Sequence, residues 1–101
     1  MKITNDPITA CLGANVLYTD VWSSMGEENQ KEQKDKEFNG FTIDSNLLSK
    51  AAKDAIVLHC LPAYRGKEIE NDVMESKNNR IFEQAENRMH AQQALLYSLL
   101  C

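Results

Sequence analysis

The strongest indication of the fold is the segment Ala55-Ile56-Val57-Leu58-His59-Cys60-Leu61-Pro62. Four apolar residues in succession, two of them β-branched, are typical of a buried strand in a parallel sheet. Pro62 cannot continue the hydrogen bonding of a strand, so the chain enters a loop at that point. The thiol of Cys60 is therefore expected at the carboxyl end of a buried strand, where open parallel sheets bind their ligands.

Outside this strand, short apolar segments alternate with helical ones. Asp6-Pro7 predicts a helix start, because Asp is a good N-cap and Pro is favoured in the first turn. Residues 15–19 form a second short strand that ends at Asp20, and residues 80–82 a third, very short one. Further helices are expected from Asp44 or Ser45, over 67–74, and from Glu86 or Asn87 to the C-terminus. The order predicts an α/β fold, part of a doubly wound parallel sheet with helices on both faces.

Two helical segments carry unusual surfaces. Residues 27–38 are dense in charge, which indicates either a solvated helix or a mobile segment next to a site. Residues 94–100 are apolar on nearly every side of the last helix, and such a helix must be buried against something. The rest of the chain offers little surface for it, which suggests a partner.

Composition narrows the class of protein. A chain of 101 residues makes at most one domain. The net charge of −4 without a basic cluster argues against a nucleic-acid partner. No apolar run is long enough to span a membrane, and the first residues lack the apolar core of a signal peptide. The cytoplasm is therefore the expected location.

The three cysteines, Cys11, Cys60 and Cys101, are odd in number and far apart, which fits a reducing compartment better than a disulfide framework. A metal site is not expected, because no Cys-x-x-Cys or His-x-x-x-His pair exists and His59 is adjacent to Cys60. His59 should point to the opposite side of the strand and serve a structural role.

Three unlike polar groups fall at one edge of the predicted sheet: Asp20 after the first strand, Cys60 after the second and Arg88 shortly after the third. Asp20 suits an ammonium group, or is only a cap or turn residue. Cys60 could act as a base or nucleophile if positive charge stabilises its thiolate, or be a buried structural thiol. Arg88, expected in the first turn of the last helix, could clamp a phosphate or pair with Glu83 or Glu86.

The loop Ser24-Met25-Gly26 adds a hydroxyl, exposed amides and a flexible glycine close to Asp20. The same residue types are also typical of a surface turn that binds nothing. Its place after a strand end makes it a candidate binding loop.

These segments, in this order, resemble the C-terminal part of ornithine carbamoyltransferase. The matching stretches are Asp6-Pro7-Ile8, Tyr18 to Glu28 with the loop Ser24-Met25-Gly26, His59 to Gly66 with the motif His-Cys-Leu-Pro, and Phe82 to His90. The resemblance covers nearly the whole chain from Ile3 onward. It implies a Rossmann-like ornithine-binding domain, of which residues 1–101 form the C-terminal part.

The resemblance implies a role for each matching position. Asp20 would hold the α-amino group of L-ornithine, and the loop of Ser24 and Met25 would close over its amino-acid end. Cys60 would help remove the proton of the side-chain amine. Cys60, Leu61 and Arg88 would approach carbamoyl phosphate. The products would be L-citrulline and phosphate, no cofactor would be required, and the parent enzyme would be a homotrimer.

The family's Ser-x-Arg-Thr and His-Pro-x-Gln motifs do not occur in this sequence. The resemblance therefore implies that the N-terminal carbamoyl-phosphate domain is absent and that the chain alone is inactive, because half of the positioning groups are missing. One alternative is a non-catalytic binding or regulatory module that associates with a complementary carbamoyltransferase piece. Another is a related enzyme that uses a different amine, against which the Ser24-Met25-Gly26 loop argues.

Overall fold

The computed structural model describes residues 1–23, 26 and 28–101. Its elements, in chain order, are α1 (Pro7–Cys11), β1 (Val16–Thr19), α2 (Lys31–Glu37), α3 (Ser45–Lys50), β2 (Ile56–His59), α4 (Asn71–Met74) and α5 (Ile81–Leu100). A 3-10 turn over Glu28–Gln30 leads into α2. Glu27, the first residue of the predicted charged helix, lies outside the described residues.

The two strands pair in parallel, with Val16 opposite Ile56 and Thr19 opposite His59. Parallel pairing with intervening helices confirms the predicted α/β, Rossmann-like class. The alternation of strand side chains buries Leu17, whereas its neighbour Tyr18 is 57% exposed. One side of the sheet therefore carries the core, and β1 leaves apolar surface on the other.

Asp caps begin two of the helices at the predicted places. The carboxylate of Asp6 accepts the backbone N–H of Ile8 at 3.1 Å, with Pro7 in the first turn. The carboxylate of Asp44 accepts the N–H of Leu47 at 2.7 Å at the start of α3. Each cap satisfies an N–H group that has no partner inside its helix.

The core gathers side chains from every helix and strand named above except α2. Its buried members are Cys11, Leu17, Ile43, Leu47, Val57, Ile69, Val73, Met74 and Ile81. Val57, Ile69, Val73 and Ile81 are fully inaccessible to solvent. Their burial supplies the main favourable term in folding.

The predicted third strand at 80–82 is wrong. Asn79 forms an isolated parallel bridge with Val57, but α5 begins at Ile81, so the last helix also starts well before Glu86 or Asn87. Ile81 packs in the core, whereas the next residue, Phe82, is 56% exposed. Two apolar residues in succession fit the first turn of a helix as well as a strand, so their pattern could not separate the two.

The helix predicted over 67–74 is wrong in its first half, because only Asn71–Met74 is helical. Ile69 instead forms parallel bridges with Ile43 and with Arg65. The N–H of Ile43 donates to the carbonyl of Glu68 at 2.9 Å. Extended pairing therefore uses backbone groups that a helix over 67–70 would need.

The charged helix α2 has no buried residue, as expected of a solvated helix, yet it contacts the segment that follows Pro62. The Lys67 ammonium lies 2.6 Å from the Asp35 carboxylate. The Lys31 ammonium lies 5.8 Å from the centre of the Tyr64 ring, within range of a cation–π contact.

The last helix projects its distal half, residues 91–100 or distal α5, away from the core. Beyond its first turn, α5 exposes large apolar side chains, namely Met89, Leu95, Leu96, Tyr97, Leu99 and Leu100. No helix within residues 1–23, 26 and 28–101 is both long enough and apolar enough to cross a membrane.

Candidate functional site

The ends of the two strands bring Asp20 and Cys60 into contact. The register that places Thr19 opposite His59 also sets the next residue of each strand side by side. Cys60 Sγ donates a hydrogen bond to Asp20 Oδ1 at 2.9 Å, although 40 positions separate the two residues in the sequence. The rule that parallel strands gather ligand groups at their carboxyl ends thus holds for this pair.

The contact fixes the protonation of both groups. The hydrogen bond to Asp20 and partial burial raise the pKa of the Cys60 thiol. The same hydrogen bond, together with the backbone N–H of Val21 at 2.7 Å, lowers the pKa of Asp20. At neutral pH the pair is therefore a thiol and a carboxylate. The charged group in direct contact with the thiol is the Asp20 carboxylate, which disfavours a Cys60 thiolate instead of stabilising it.

A buried pair, His59 and Glu68, holds the loop that carries Cys60. Each residue is 1% exposed, and His59 Nε2 lies 3.0 Å from Glu68 Oε1. His59 Nδ1 accepts the N–H of Leu61 at 2.8 Å, and Glu68 Oε1 also accepts the N–H of Tyr64 at 2.6 Å. The Nδ1 bond requires that Nε2 carry the ring proton and donate it to Glu68. The loop is thus fixed at both ends, in agreement with a structural role for His59.

An open cavity of about 1210 Å³ lies between this loop and the first half of α5. Its wall includes Cys60, Leu61 and Arg88, the three residues that the resemblance assigned to carbamoyl phosphate. Asp20 lines a neighbouring, largely apolar cavity of about 420 Å³, together with Trp22 and other side chains. Cys60 therefore lines the cavity that contains Arg88 and hydrogen-bonds to Asp20, which lines the other cavity.

Arg88 differs from its expected setting in two ways. It lies two turns into α5, because the helix begins at Ile81, so the field of the helix N-terminus does not reach it. Within the described part of the chain it forms no ion pair with Glu83 or Glu86, and Glu86 instead lies 3.4 Å from His90. The guanidinium is exposed and lines the cavity beside Cys60.

Ser24 and Met25, the predicted binding loop, lie outside the described residues. Gly26, which follows them, adopts a φ of 92°, a conformation that favours glycine. The structure therefore describes the two flanks of the loop, at Ser23 and at Gly26.

The side chains of Asp20, His59 and Cys60 bring three possible metal-ligand atoms within 4.8 Å of one another. Both ring nitrogens of His59 are engaged, one by Glu68 and the other by Leu61. This leaves Asp20 and Cys60, which hydrogen-bond to each other, whereas ordinary zinc sites have three or four protein ligands. The described residues do not fit a metal ion at this place without breaking the loop support.

Three neighbours of the site were not foreseen from the sequence: Tyr18, Glu68 and Gln84. Glu68 resembled an exposed acid in a helix, and its burial follows from long-range pairing with residue 43. Tyr18 follows a buried residue in a strand, and Gln84 lies in a segment predicted as a strand-to-helix connection. For Gln84 the one available signal was its spacing, since it lies four positions before Arg88 and would share a helix face with it.

With this geometry established, three comparisons place the chain among known proteins. Residues 1–99 match the family model described as Aspartate/ornithine carbamoyltransferase, Asp/Orn binding domain. The chain is 78% identical over 100 residues to an ornithine carbamoyltransferase of Prochlorococcus marinus subsp. pastoris, covering 99% of this chain and 32% of that protein. It spans about a third of the length of the curated relatives that it matches.

Solved structures give the same result. The crystal structure of anabolic ornithine carbamoyltransferase from Campylobacter jejuni subsp. jejuni matches with a TM-score of 0.85 at 53% identity, covering 93% of this chain and 31% of that one. An N-acetyl-L-ornithine transcarbamylase matches with a TM-score of 0.79 at 28% identity, covering 96% and 30%. The chain therefore belongs to the aspartate/ornithine carbamoyltransferase family, through the match of residues 1–99 to the model of its Asp/Orn binding domain.

Proposed function

We propose that this chain supplies the ornithine-binding part of a carbamoyl-transfer site, in which the side-chain amine of L-ornithine attacks carbamoyl phosphate to give L-citrulline and phosphate. The observation that carries the proposal is the Cys60–Asp20 contact of 2.9 Å, beside a cavity that Arg88 lines. This arrangement places an anion for an ammonium group next to a cation for a phosphate.

The Asp20 carboxylate receives an ammonium group of ornithine by a charge-assisted hydrogen bond, and the α-amino group is its assigned partner. Ser24 and Met25 close over the amino-acid end. An ammonium group that donates to Asp20 displaces the Cys60 thiol as donor and adds positive charge beside it. Both changes lower the pKa of Cys60 from its raised value, so the thiol releases its proton to solvent more readily and the resulting thiolate can accept a proton from the side-chain amine of ornithine.

The side-chain amine must lose a proton before it attacks, because only the neutral form has a free electron pair. Cys60, which lines the larger cavity and contacts Asp20, is proposed to take part in that transfer. Arg88, with the Leu61 backbone on the same wall, faces the carbamoyl phosphate and stabilises the charge that develops as phosphate departs.

Residues 1–101 are proposed as the C-terminal part of the ornithine-binding domain. The remaining positioning groups, including the carbamoyl-phosphate domain, correspond to the two thirds of the relatives' length that this chain does not span. Orienting both reactants supplies a large part of the rate enhancement of such enzymes. The chain by itself is therefore expected to form no citrulline. The complete assembly is proposed to be a homotrimer in the cytoplasm, a reducing compartment in which the three free cysteines would stay unpaired.

A chimera tests this function. The first two thirds of the 78%-identical relative are joined to this chain, which replaces the matched third of that protein. We expect citrulline from L-ornithine and carbamoyl phosphate with the chimera, and none with either piece alone. The variant Asp20→Asn in the chimera should lower kcat/KM for ornithine about a hundredfold, because the ammonium group loses a charged acceptor. A folded chimera without activity, or turnover by the 101-residue chain alone, would contradict the proposal.

A second candidate is a binding or regulatory module that associates with a complementary carbamoyltransferase piece. The observation that favours it is the exposed apolar surface of distal α5, where Leu99 is 72% and Leu100 79% exposed. A soluble protein rarely leaves so continuous an apolar surface uncovered. Mixing this chain with the relative's first two thirds in separate polypeptides distinguishes the candidates: a complex without citrulline supports the module, and a complex with citrulline supports the enzyme.

A further inference from the structure

We propose that Gln84 is a positioning residue that joins α5 to the ends of both strands and thereby holds Arg88 opposite Cys60. The inference rests on the proposed function of this site, because the position of Arg88 matters only if its guanidinium meets a ligand in the cavity. Gln84 is half-buried and lines the same cavity as Cys60 and Arg88.

The side-chain carbonyl of Gln84 accepts a backbone hydrogen bond of β2 that a third strand would otherwise accept. On the outer side of β2, the N–H of Val57 donates to the carbonyl of Asn78 at 2.9 Å, and the N–H of Arg80 donates to the carbonyl of Val57 at 3.0 Å. The next N–H on that side is that of His59, because alternate residues of a strand face the same neighbour. The chain has by then turned into α5, and Gln84 Oε1 accepts this N–H at 3.0 Å.

The amide nitrogen of the same side chain reaches the other strand. Gln84 Nε2 donates to the hydroxyl of Tyr18 at 3.3 Å, and Tyr18 belongs to β1. The Tyr18 hydroxyl in turn lowers the pKa of Cys60 by a hydrogen bond, and this effect is smaller than the increase that Asp20 causes. One amide thus connects α5, β1 and β2 at the place where the site forms.

The two hydrogen bonds of Gln84 determine the position of Arg88 relative to the strands. Gln84 and Arg88 are four positions apart in α5, so they share a face and lie about 6 Å apart along the helix axis. Arg88 itself has no ion pair with the neighbouring Glu83 or Glu86 among the described residues. Its distance from Cys60 therefore depends on how α5 sits on the strands, and Gln84 forms the polar attachment closest to it.

The experiment uses the citrulline-forming chimera and two matched variants. Gln84→Leu removes both hydrogen bonds at nearly constant volume. Gln33→Leu makes the same change on α2, where Gln33 Nε2 donates to Glu37 at 2.8 Å, away from the cavity. The KM for carbamoyl phosphate, the KM for ornithine, kcat and the Tm are measured for each protein.

We expect Gln84→Leu to raise the KM for carbamoyl phosphate about fivefold to tenfold, corresponding to the loss of about one hydrogen bond's net contribution, with the KM for ornithine within about twofold. Gln33→Leu should change neither KM. A purely structural role would lower Tm and apparent kcat and leave both KM values unchanged, and that result would overturn the inference.

A milder variant covers the case in which Gln84→Leu does not fold. Gln84→Asn keeps the amide but is too short to reach both partners, so it should raise the KM for carbamoyl phosphate in the same selective way. Equal KM values for Gln84→Asn and the unsubstituted chimera would overturn the inference while leaving the proposed function intact. If the unsubstituted chimera forms no citrulline, the proposed function fails and the role of Gln84 fails with it.

Discussion

The first turn of α5 and its last three turns belong to one continuous helix, but only the first turn contributes a buried side chain. Ile81 is fully buried against Val57 and the other core residues, whereas Leu96 is 57% exposed and Tyr97 71%. Both ends are rich in apolar residues, so composition does not explain the difference. The helix begins as part of the core and continues beyond it.

This difference separates the part of the chain that its own core stabilises from the exposed apolar surface of the last helix. The contacts that fix Asp20, Cys60 and the Cys60 loop all lie on the core side, through the strand register and the pair of His59 with Glu68. Distal α5 contributes no buried side chain. The geometry of the site therefore depends on the core, and distal α5 contributes little to folding.

The largest expected effect contrasts the two ends of α5 directly. Ile81→Ala should lower the free energy of unfolding by about 2–5 kcal/mol, because it leaves a cavity in a fully packed core. Leu96→Ala should change it by less than about 0.5 kcal/mol, since an exposed side chain has little to lose. Urea unfolding monitored by circular dichroism measures both. Equal losses in the two variants would show that distal α5 is covered in the free chain.

A somewhat smaller effect is expected at the support of the Cys60 loop. Glu68→Ala removes the acceptor of His59 Nε2–H and of the Tyr64 N–H, and should cost about 2–4 kcal/mol because the fully buried His59 donor is left without a partner and the part-buried Tyr64 N–H loses its acceptor. Glu70→Ala, two positions later and partly exposed, is the control and should cost much less. If both variants unfold at the same urea concentration, the buried pair does not support the loop.

The smallest of the three effects concerns pH. Cys60 has a pKa above its ordinary value, chiefly because its thiol donates to Asp20, so this contact stabilises the fold at neutral pH and is lost as the pH rises through the pKa of Cys60. For Asp20 the sign is opposite: its pKa is lowered, so its contribution is present at neutral pH and is lost as the pH falls through the acid range.

Asp20→Asn should therefore lower the pKa of Cys60 and increase its alkylation by iodoacetamide at pH 8 about threefold to tenfold, in proportion to the thiolate present. The experiment uses a Cys101→Ser background, so that the exposed terminal thiol does not react. Asp54→Asn, a change in an exposed turn that leaves the site untouched, is the control. Slower alkylation in Asp20→Asn than in the control would contradict the assigned protonation of the pair.

The sequence predicted the parts of the fold that depend on local rules. The caps at Asp6 and Asp44 and the parallel pairing of the two strands follow from side-chain chemistry and apolar runs. The start of α5 could not be predicted in this way, because the apolar pair Ile81-Phe82 fits the periodicity of a helix as well as that of a strand. Nor could the burial of Glu68 be foreseen, since it arises from pairing with residue 43, far away in the sequence.

The site divides in the same way. The strand-end rule was enough to expect Asp20 beside Cys60, and the structure places them 2.9 Å apart. Arg88 was expected near a helix N-terminus and lies two turns further on, because the helix start was misplaced. Gln84 was not recognised at all, because a glutamine that replaces a strand has no local signature.

The central claim is that the Asp20–Cys60 pair, held by the core, recognises an amino acid with a side-chain amine. The most direct test is a proton–nitrogen NMR spectrum of the labelled chain during titration with L-ornithine, with L-norvaline, which lacks that amine, as the matched control. We expect dispersed peaks, with shifts confined to Asp20, residues 23–26 and Cys60. The Cys60 shift should be larger with ornithine than with norvaline, because both compounds carry the α-amino group that Asp20 binds but only ornithine brings a second amine to the thiol. A dispersed spectrum that does not respond to ornithine, or that responds equally to both compounds at Cys60, would contradict the claim.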